Sequence, residues 1–278
     1  MSVTWRSTEP PPVVRRSPGH APRALLRGGA LIAVIFAGVL ATLPLRAVER
    51  PLYGVGRPWS PRITQWVCRG GFRILGLRHR TQGTPMTGPG AVVSNHVSWL
   101  DIFALNARSR VYFVAKSEVA RWPGIGALAR LVGTVFITRD ARDARAQTAL
   151  FAKRLGAGHR LLFFPEGSST DGMRVLSFKS TLFQAFFDVP GVQAMQVQPV
   201  TVVYRAPDDQ DPRFYGWWGD MSFGAHVWQV LGASRQGEVR VVYHAPLDVA
   251  EFGDRKTLAV AACQRVRAGM PEAPRQGG

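Results

Sequence analysis

Val93-Ser94-Asn95-His96-Val97-Ser98-Trp99-Leu100-Asp101 is the stretch on which the reading of this chain turns. An apolar, strand-like run breaks into a polar corner that carries a histidine and, five positions on, an aspartate. Imidazole takes up a proton near neutral pH. A carboxylate beside it fixes one ring tautomer and stabilises the charged form. The pair is part of a catalytic triad with no nucleophile in the same stretch. A substrate hydroxyl can fill that place, and the pair would then activate a bound alcohol for acyl transfer. Taken alone, the spacing also fits a loop histidine beside a helix-capping aspartate, so the surrounding sequence has to decide.

Outward from that corner, short apolar runs at 91–94, 111–115, 134–138, 160–164, 197–204 and 239–244 predict strands. Helical patterns occupy 99–108, 123–131, 143–156, 177–188, 224–231 and 255–268. This alternation predicts an α/β fold, a mixed and largely parallel sheet flanked by helices. Ligands of such sheets bind beyond the carboxyl ends of the strands. His96, Lys116, Arg139 and Glu166 follow the first four predicted strands, which gathers them at one site.

Each later block has its own chemistry and its own plain alternative. Arg139 ends the run Phe136-Ile137-Thr138 and suits bidentate recognition of phosphate or carboxylate; pairing with Asp140 or Asp143 would also explain it. In Phe163-Phe164-Pro165-Glu166-Gly167-Ser168, proline ends the strand and glycine lets the backbone approach a ligand. Glu166 is then a candidate to hold an acceptor hydroxyl or ammonium group, or else a structural turn carboxylate. Lys179 adds a cation that a solvated helix residue would equally supply.

The chain has 278 residues, with 35 Lys and Arg against 18 Asp and Glu, a formal net charge of +17. Such a surface attracts nucleic acid, anionic lipid or acidic carriers. Single dispersed arginines without an aromatic-basic module argue against nucleic acid. Cys68 and Cys263 give neither a disulfide framework nor a zinc spacing. Residues 1–23, rich in Pro and Arg, predict a disordered basic tail. Residues 28–45 carry no charge. A helix there would span roughly 27 Å, just short of a bilayer core of about 30 Å, which predicts a membrane anchor, spanning or re-entrant. A second helix over 61–78 sets Ile63, Trp66, Val67, Ile74 and Leu77 against Arg62, Arg69, Arg73 and Arg78. The predicted organisation is therefore a tail at 1–23, membrane-docking helices at 24–80, a catalytic domain at 81–268 and a disordered tail at 269–278.

In their order, these blocks resemble the glycerolipid acyltransferase family of the lysophosphatidic acid acyltransferase type. Its N-H-x4-D motif matches Asn95, His96 and Asp101; its apolar strand ending in Arg matches 136–139; its F-P-E-G matches 164–167. Its Pro between branched residues is approximated by Val197-Gln198-Pro199-Val200. The resemblance implies that His96 is the general base on the acceptor hydroxyl and that Asp101 orients it. It implies a lysolipid acceptor, acyl carrier protein or acyl-coenzyme A as donor, no cofactor and no metal. It also implies a bacterial inner-membrane enzyme with its catalytic domain on the cytoplasmic face of an anionic surface. Asn95, Ser98, Lys116, Arg139, Glu166, Gly167, Ser168 and Lys179 become the expected substrate contacts, with Asn95, Ser98 or nearby N–H groups supporting the oxyanion. Phosphate-accepting members read F-P-E-G-T-R, whereas Ser168 and Ser169 stand here in the last two positions. That departure, with Trp217-Trp218-Gly219-Asp220-Met221, resembles the bacterial lyso-ornithine lipid O-acyltransferase branch, where Glu166 and Asp171 would suit an amine-bearing head group. Acylation of lysophosphatidic acid and a non-catalytic basic membrane-binding protein are the alternatives.

Overall fold

The computed structural model describes residues 4–138, 142, 144–188 and 195–271. Its elements in chain order are α1 (His20–Tyr53), α2 (Ser60–Leu75), β1 (Arg78–Gln82), β2 (Gly90–Ser94), α3 (Asp101–Arg108), β3 (Tyr112–Lys116), α4 (Ile125–Val132) and β4 (Val135–Ile137). There follow α5 (Ala144–Gly156), β5 (Arg160–Phe163), α6 (Gln184–Asp188), β6 (Gln196–Arg205), α7 (Phe223–Gly232), β7 (Glu238–Tyr243), β8 (Leu247–Asp248) and α8 (Arg255–Ala268). The sheet order is β1-β7-β6-β2-β5-β3-β4, with β8 on β6. Only the β6–β7 and β6–β8 pairs are antiparallel. The expected mixed, largely parallel sheet is present, with β2 near its centre.

A parallel strand covered on both faces reads as a continuous apolar run, and Gly90–Ser94 is buried throughout. Val92 joins a core formed with α1, α2, α3 and α7. Ala91 and Val93 join the opposite core, built on α5, α6 and α8. Three departures from the predicted elements have physical causes. β1 (Arg-His-Arg-Thr-Gln) is a mostly exposed edge strand without an apolar period, so only its pairing with β7 reveals it. β8 is two residues long. The helix predicted over 177–188 is a 3-10 turn at Ser180–Phe183 followed by the short α6, because the Lys179 N–H is drawn to the Pro165 carbonyl at 2.9 Å.

α1 runs far past the uncharged stretch that predicts it. Its buried positions (His20, Ala24, Leu31, Gly38, Thr42 and Glu49) recur at steps of four or seven residues along one face packed on α2 and α7. The opposite face exposes Leu25, Ile32, Phe36, Leu40, Leu43 and Leu52. Both ends are tied down. Arg27 donates to the carbonyls of Leu231 (3.0 Å) and Ala233 (2.6 Å) at the end of α7, where a cation also suits the helix dipole. Glu49 Oε1 accepts the N–H groups of Trp59 (2.7 Å) and Ser60 (2.8 Å), capping α2 from a different helix.

The N-terminal stretch is not the free tail that its composition suggests. Residues 4–17 form no helix or strand, yet they lie along the domain. The Trp5 N–H donates to Ser168 Oγ at 3.0 Å, Arg6 pairs with Asp220 at 3.0 Å, and Glu9 pairs with Arg213 at 2.8 Å. Individual polar contacts of this kind leave no period in the sequence. Of the expected C-terminal tail, residues 272–278 lie outside the described residues.

Gly38 sets the α1–α2 spacing, since a Cβ there would run into Val67 Cγ2. Gly38→Leu is expected to force the two helices apart and lower stability by about 1–3 kcal/mol, read as a lower thermal midpoint in detergent without loss of helical circular dichroism.

Candidate active site

The strand β2 ends at Ser94, and the next residue continues its pairing by other means. Asn95 is fully buried. Its Nδ2 donates to the Val202 carbonyl at 2.9 Å, and its Oδ1 accepts the Val202 N–H at 2.8 Å. The side-chain amide thus bonds β6 as a backbone amide would. Both bonds position the corner, a structural part that stands beside the oxyanion role expected of Asn95.

Asp101 organises that corner. Its carboxyl group is wholly buried, and Oδ2 accepts His96 Nδ1 at 2.7 Å, the Val97 N–H at 2.8 Å and the Ser98 N–H at 3.1 Å. Its Oδ1 accepts the Tyr204 hydroxyl at 2.9 Å. Burial, with Asp101 beside it, raises the Tyr204 phenol well above its ordinary range, so it remains a donor. Since Nδ1 faces the carboxylate, Nε2 carries the lone pair and faces outward. The His96 side chain keeps 23% of its surface exposed. Its ring stacks on Phe164 with centroids 4.1 Å apart.

The Phe-Pro-Glu-Gly block holds the same histidine by its backbone. Glu166 is buried; Oε1 accepts the His96 N–H and Oε2 the Leu176 N–H, both at 2.7 Å. Both oxygens thus bond backbone, the structural alternative to the expected contact of Glu166 with an acceptor group. Burial pushes its carboxyl up to about 8, against the pull of the two backbone donors. The Thr170 N–H donates to the His96 carbonyl at 2.9 Å. Asp171, expected to suit an amine, instead pairs with Arg174 at 3.0 Å and accepts the Met173 N–H at 3.1 Å.

Other expected contacts divide. Gly167 adopts a left-handed φ of 73°, and its carbonyl accepts from Lys116 Nζ at 3.4 Å. A Cβ there would meet Lys179 Nζ. Lys116, Gly167 and Lys179 therefore do converge. Ser168 lies in the same loop, but its hydroxyl is engaged by the Trp5 N–H and by the Ser169 carbonyl. Ser98 is fully buried, its N–H is given to Asp101, and its Oγ has no hydrogen-bond partner among the described residues. Arg139 lies outside the described residues.

Comparison with known proteins gives the family. Residues 77–204 match the family model described as Acyltransferase. The chain is 55% identical over 271 residues to the lyso-ornithine lipid O-acyltransferase of Rhodobacter capsulatus, covering 98% of each chain. It belongs to the acyltransferase family. A lyso-ornithine lipid O-acyltransferase of Brucella abortus is 37% identical over 250 residues, covering 86% of this chain and 92% of the other. The crystal structure of the 1-acyl-sn-glycerophosphate acyltransferase from Thermotoga maritima shares the fold, with a TM-score of 0.60 at 20% identity over 90% of this chain and 95% of that one.

For this acyltransferase, the sequence reading missed Phe164 as the imidazole's platform and Tyr204 as the second anchor of Asp101. Phe164 could have been found, because it adjoins a recognised motif. Tyr204 stands more than a hundred positions from Asp101 and only the β2–β6 register brings it there.

Two outcomes are expected. Tyr204→Phe leaves one buried carboxylate oxygen without its donor; kcat should fall about tenfold while KM for acceptor changes little, as steady-state kinetics would read. Glu166 favours its protonated form when folded, so its contribution to stability is full below its ordinary value of 4.5 and is lost as pH rises through about 8. Glu166→Gln should have a lower thermal midpoint at acidic pH and a flatter decline between these pH values; an unchanged slope would refute the assignment.

Proposed function

We propose that this protein transfers a fatty acyl group from an acyl thioester to the hydroxyl of a lyso-ornithine lipid, forming ornithine lipid. The observation that carries the reading is a partly exposed imidazole held by a buried carboxylate. Among the described residues, no serine, threonine or cysteine side chain hydrogen-bonds that ring. A base without a protein nucleophile activates a substrate hydroxyl. Near full-length similarity to lyso-ornithine lipid O-acyltransferases supports the choice of acceptor.

The chemistry follows from the geometry. His96 Nε2 takes the proton of the acceptor hydroxyl as its oxygen attacks the thioester carbonyl. The tetrahedral intermediate collapses, the C–S bond breaks, and the proton passes from the imidazolium to the departing sulfur. Asp101 holds the ring in one orientation and stabilises its positive charge throughout. Lys116 and Lys179 supply positive charge beside Gly167 for an anionic group of donor or acceptor. The thioester carrier is acyl carrier protein or coenzyme A, both of which bear phosphate and suit a basic surface.

The docking helices support work at a membrane surface. α1 is the one described helix long and apolar enough to cross a bilayer. Its inner face packs on protein from His20 to Glu49, while its outer face is an exposed apolar stripe. A helix covered by its own domain along its length is suited to lie in one leaflet rather than to cross it. Trp66 adds an exposed aromatic on α2. A reaction fed by acyl thioesters supports a domain on the cytoplasmic face of the inner membrane.

A competition assay tests the reading. Detergent-solubilised protein receives labelled acyl thioester with equal lyso-ornithine lipid and lysophosphatidic acid. Label should enter mainly ornithine lipid, and His96→Ala should lower the rate by about 10²–10⁴. Label mainly in phosphatidic acid would show that the family's phosphate-accepting reaction is retained despite Ser169.

A further inference from the structure

Away from the catalytic corner, positive charge gathers where α1 ends. Arg46 and Arg50 from α1, Arg57 from the connection to α2, and Lys153 and Arg154 from α5 line a cleft of about 400 Å³. The carboxylate beside them is Glu49, which is already engaged. Its Oε2 pairs with Arg46 at 3.0 Å, and its Oε1 caps α2. Among the described residues, five cations of the cleft thus share one engaged carboxylate.

The surroundings record that imbalance. Burial, with Arg46 and Arg154 nearby, pushes Arg57 down to about 10. His159, against Arg154, is pushed down to about 4 by burial and then by Arg154, Arg57 and Arg46. Arg57 and Arg154 each give one guanidinium nitrogen to a backbone carbonyl, of Leu131 at 2.6 Å and Gly133 at 3.3 Å. Their Nε atoms are buried without a hydrogen-bond partner among the described residues. Buried donors left unpaired are costly, and the accessible guanidinium and ammonium groups of the cleft suit an anion with several acceptor oxygens.

We propose that this cleft binds the phosphate of an anionic phospholipid, at a site separate from the catalytic one. It lies across the sheet from the chemistry: His159 precedes the amino end of β5, whereas His96 and Glu166 follow the carboxyl ends of the parallel strands β2 and β5. A group held there is therefore neither the acyl donor nor the acceptor in its reacting pose. A lipid is favoured over free phosphate because the exposed apolar residues Val48, Leu52 and Tyr53 of α1 interleave with and follow Arg46 and Arg50. Acyl chains against that face bring a head group to the cleft. The inference rests on the in-plane docking of α1 proposed above. A bound phosphate would join the end of α1 to α5, fixing the domain against the leaflet by a discrete contact rather than by diffuse charge.

The test uses full-length protein in a zwitterionic detergent, titrated calorimetrically with short-chain phosphatidylglycerol, with phosphatidylcholine of equal chain length, and with inorganic phosphate. Arg50→Gln/Lys153→Gln removes two exposed cations of the cleft; Arg62→Gln/Arg73→Gln removes the same charge from α2. Phosphatidylglycerol should bind selectively, and the cleft variant should weaken its Kd by about thirtyfold while the α2 variant retains it. The cleft variant should also keep wild-type acyl transfer in lipid-free detergent. Equal weakening by both variants, or no binding at all, would overturn the site; inorganic phosphate binding as tightly as the lipid would overturn the lipid assignment. Sedimentation with phosphatidylcholine vesicles reads docking separately. Wild-type protein that stays in solution sinks the docking reading, and protein that sediments without a selective lipid titration sinks the cleft alone.

Discussion

The buried carboxylate of Asp101 is the constraint on which the rest of the site depends. A carboxylate without solvent is tolerated when its lone pairs are met, and here an imidazole, two backbone N–H groups and a phenol meet them. Every one of those donors is thereby placed. The turn at 97–98 closes because its N–H groups point at Asp101, α3 begins where it does because Asp101 occupies its first turn, and the imidazole is left with one nitrogen free. Placing the carboxylate at the start of a helix adds the favourable dipole.

Glu166 plays a matching part for the backbone. It bridges the segment after β2 to the segment after β5, so the two loops that flank the imidazole cannot drift apart without losing the partner of the His96 N–H, along with the Thr170 N–H bond to the His96 carbonyl. The family motif that looks like a substrate-binding element is, in this geometry, a brace. Around it stand the ring on Phe164 and the lysines converging on Gly167, the groups proposed to meet the substrates. Acceptor preference can change in the segment after Gly167 while the acid–base pair stays as it is.

Much of this was legible in the sequence because the signals were local or periodic. Buried parallel strands appear as apolar runs, and a His and Asp five apart share one turn. β1 was not legible, since a polar edge strand carries no period, and neither was Tyr204, whose role depends on sheet register. For Asn95, Ser98 and Glu166 the sequence left one question open, because polarity beside His96 does not say whether a side chain faces the substrate or the backbone. The tail at 4–17 shows the same limit in reverse. Its composition forbids a core, but Trp5, Arg6 and Glu9 each find a partner on the domain surface.

The bonding of Asn95 to Val202 has a consequence for how the chain folds. His96 and Asp101 are nearly contiguous, yet their supports come from segments some seventy to over a hundred residues downstream. Such distant pairings form late, because the chain must close long loops before they stabilise anything. A partly folded chain can hold His96 near Asp101 and still lack the braces that aim it. Activity in this protein is therefore a property of the completed sheet, and recovery of turnover during refolding would mark the docking of β6 beside β2.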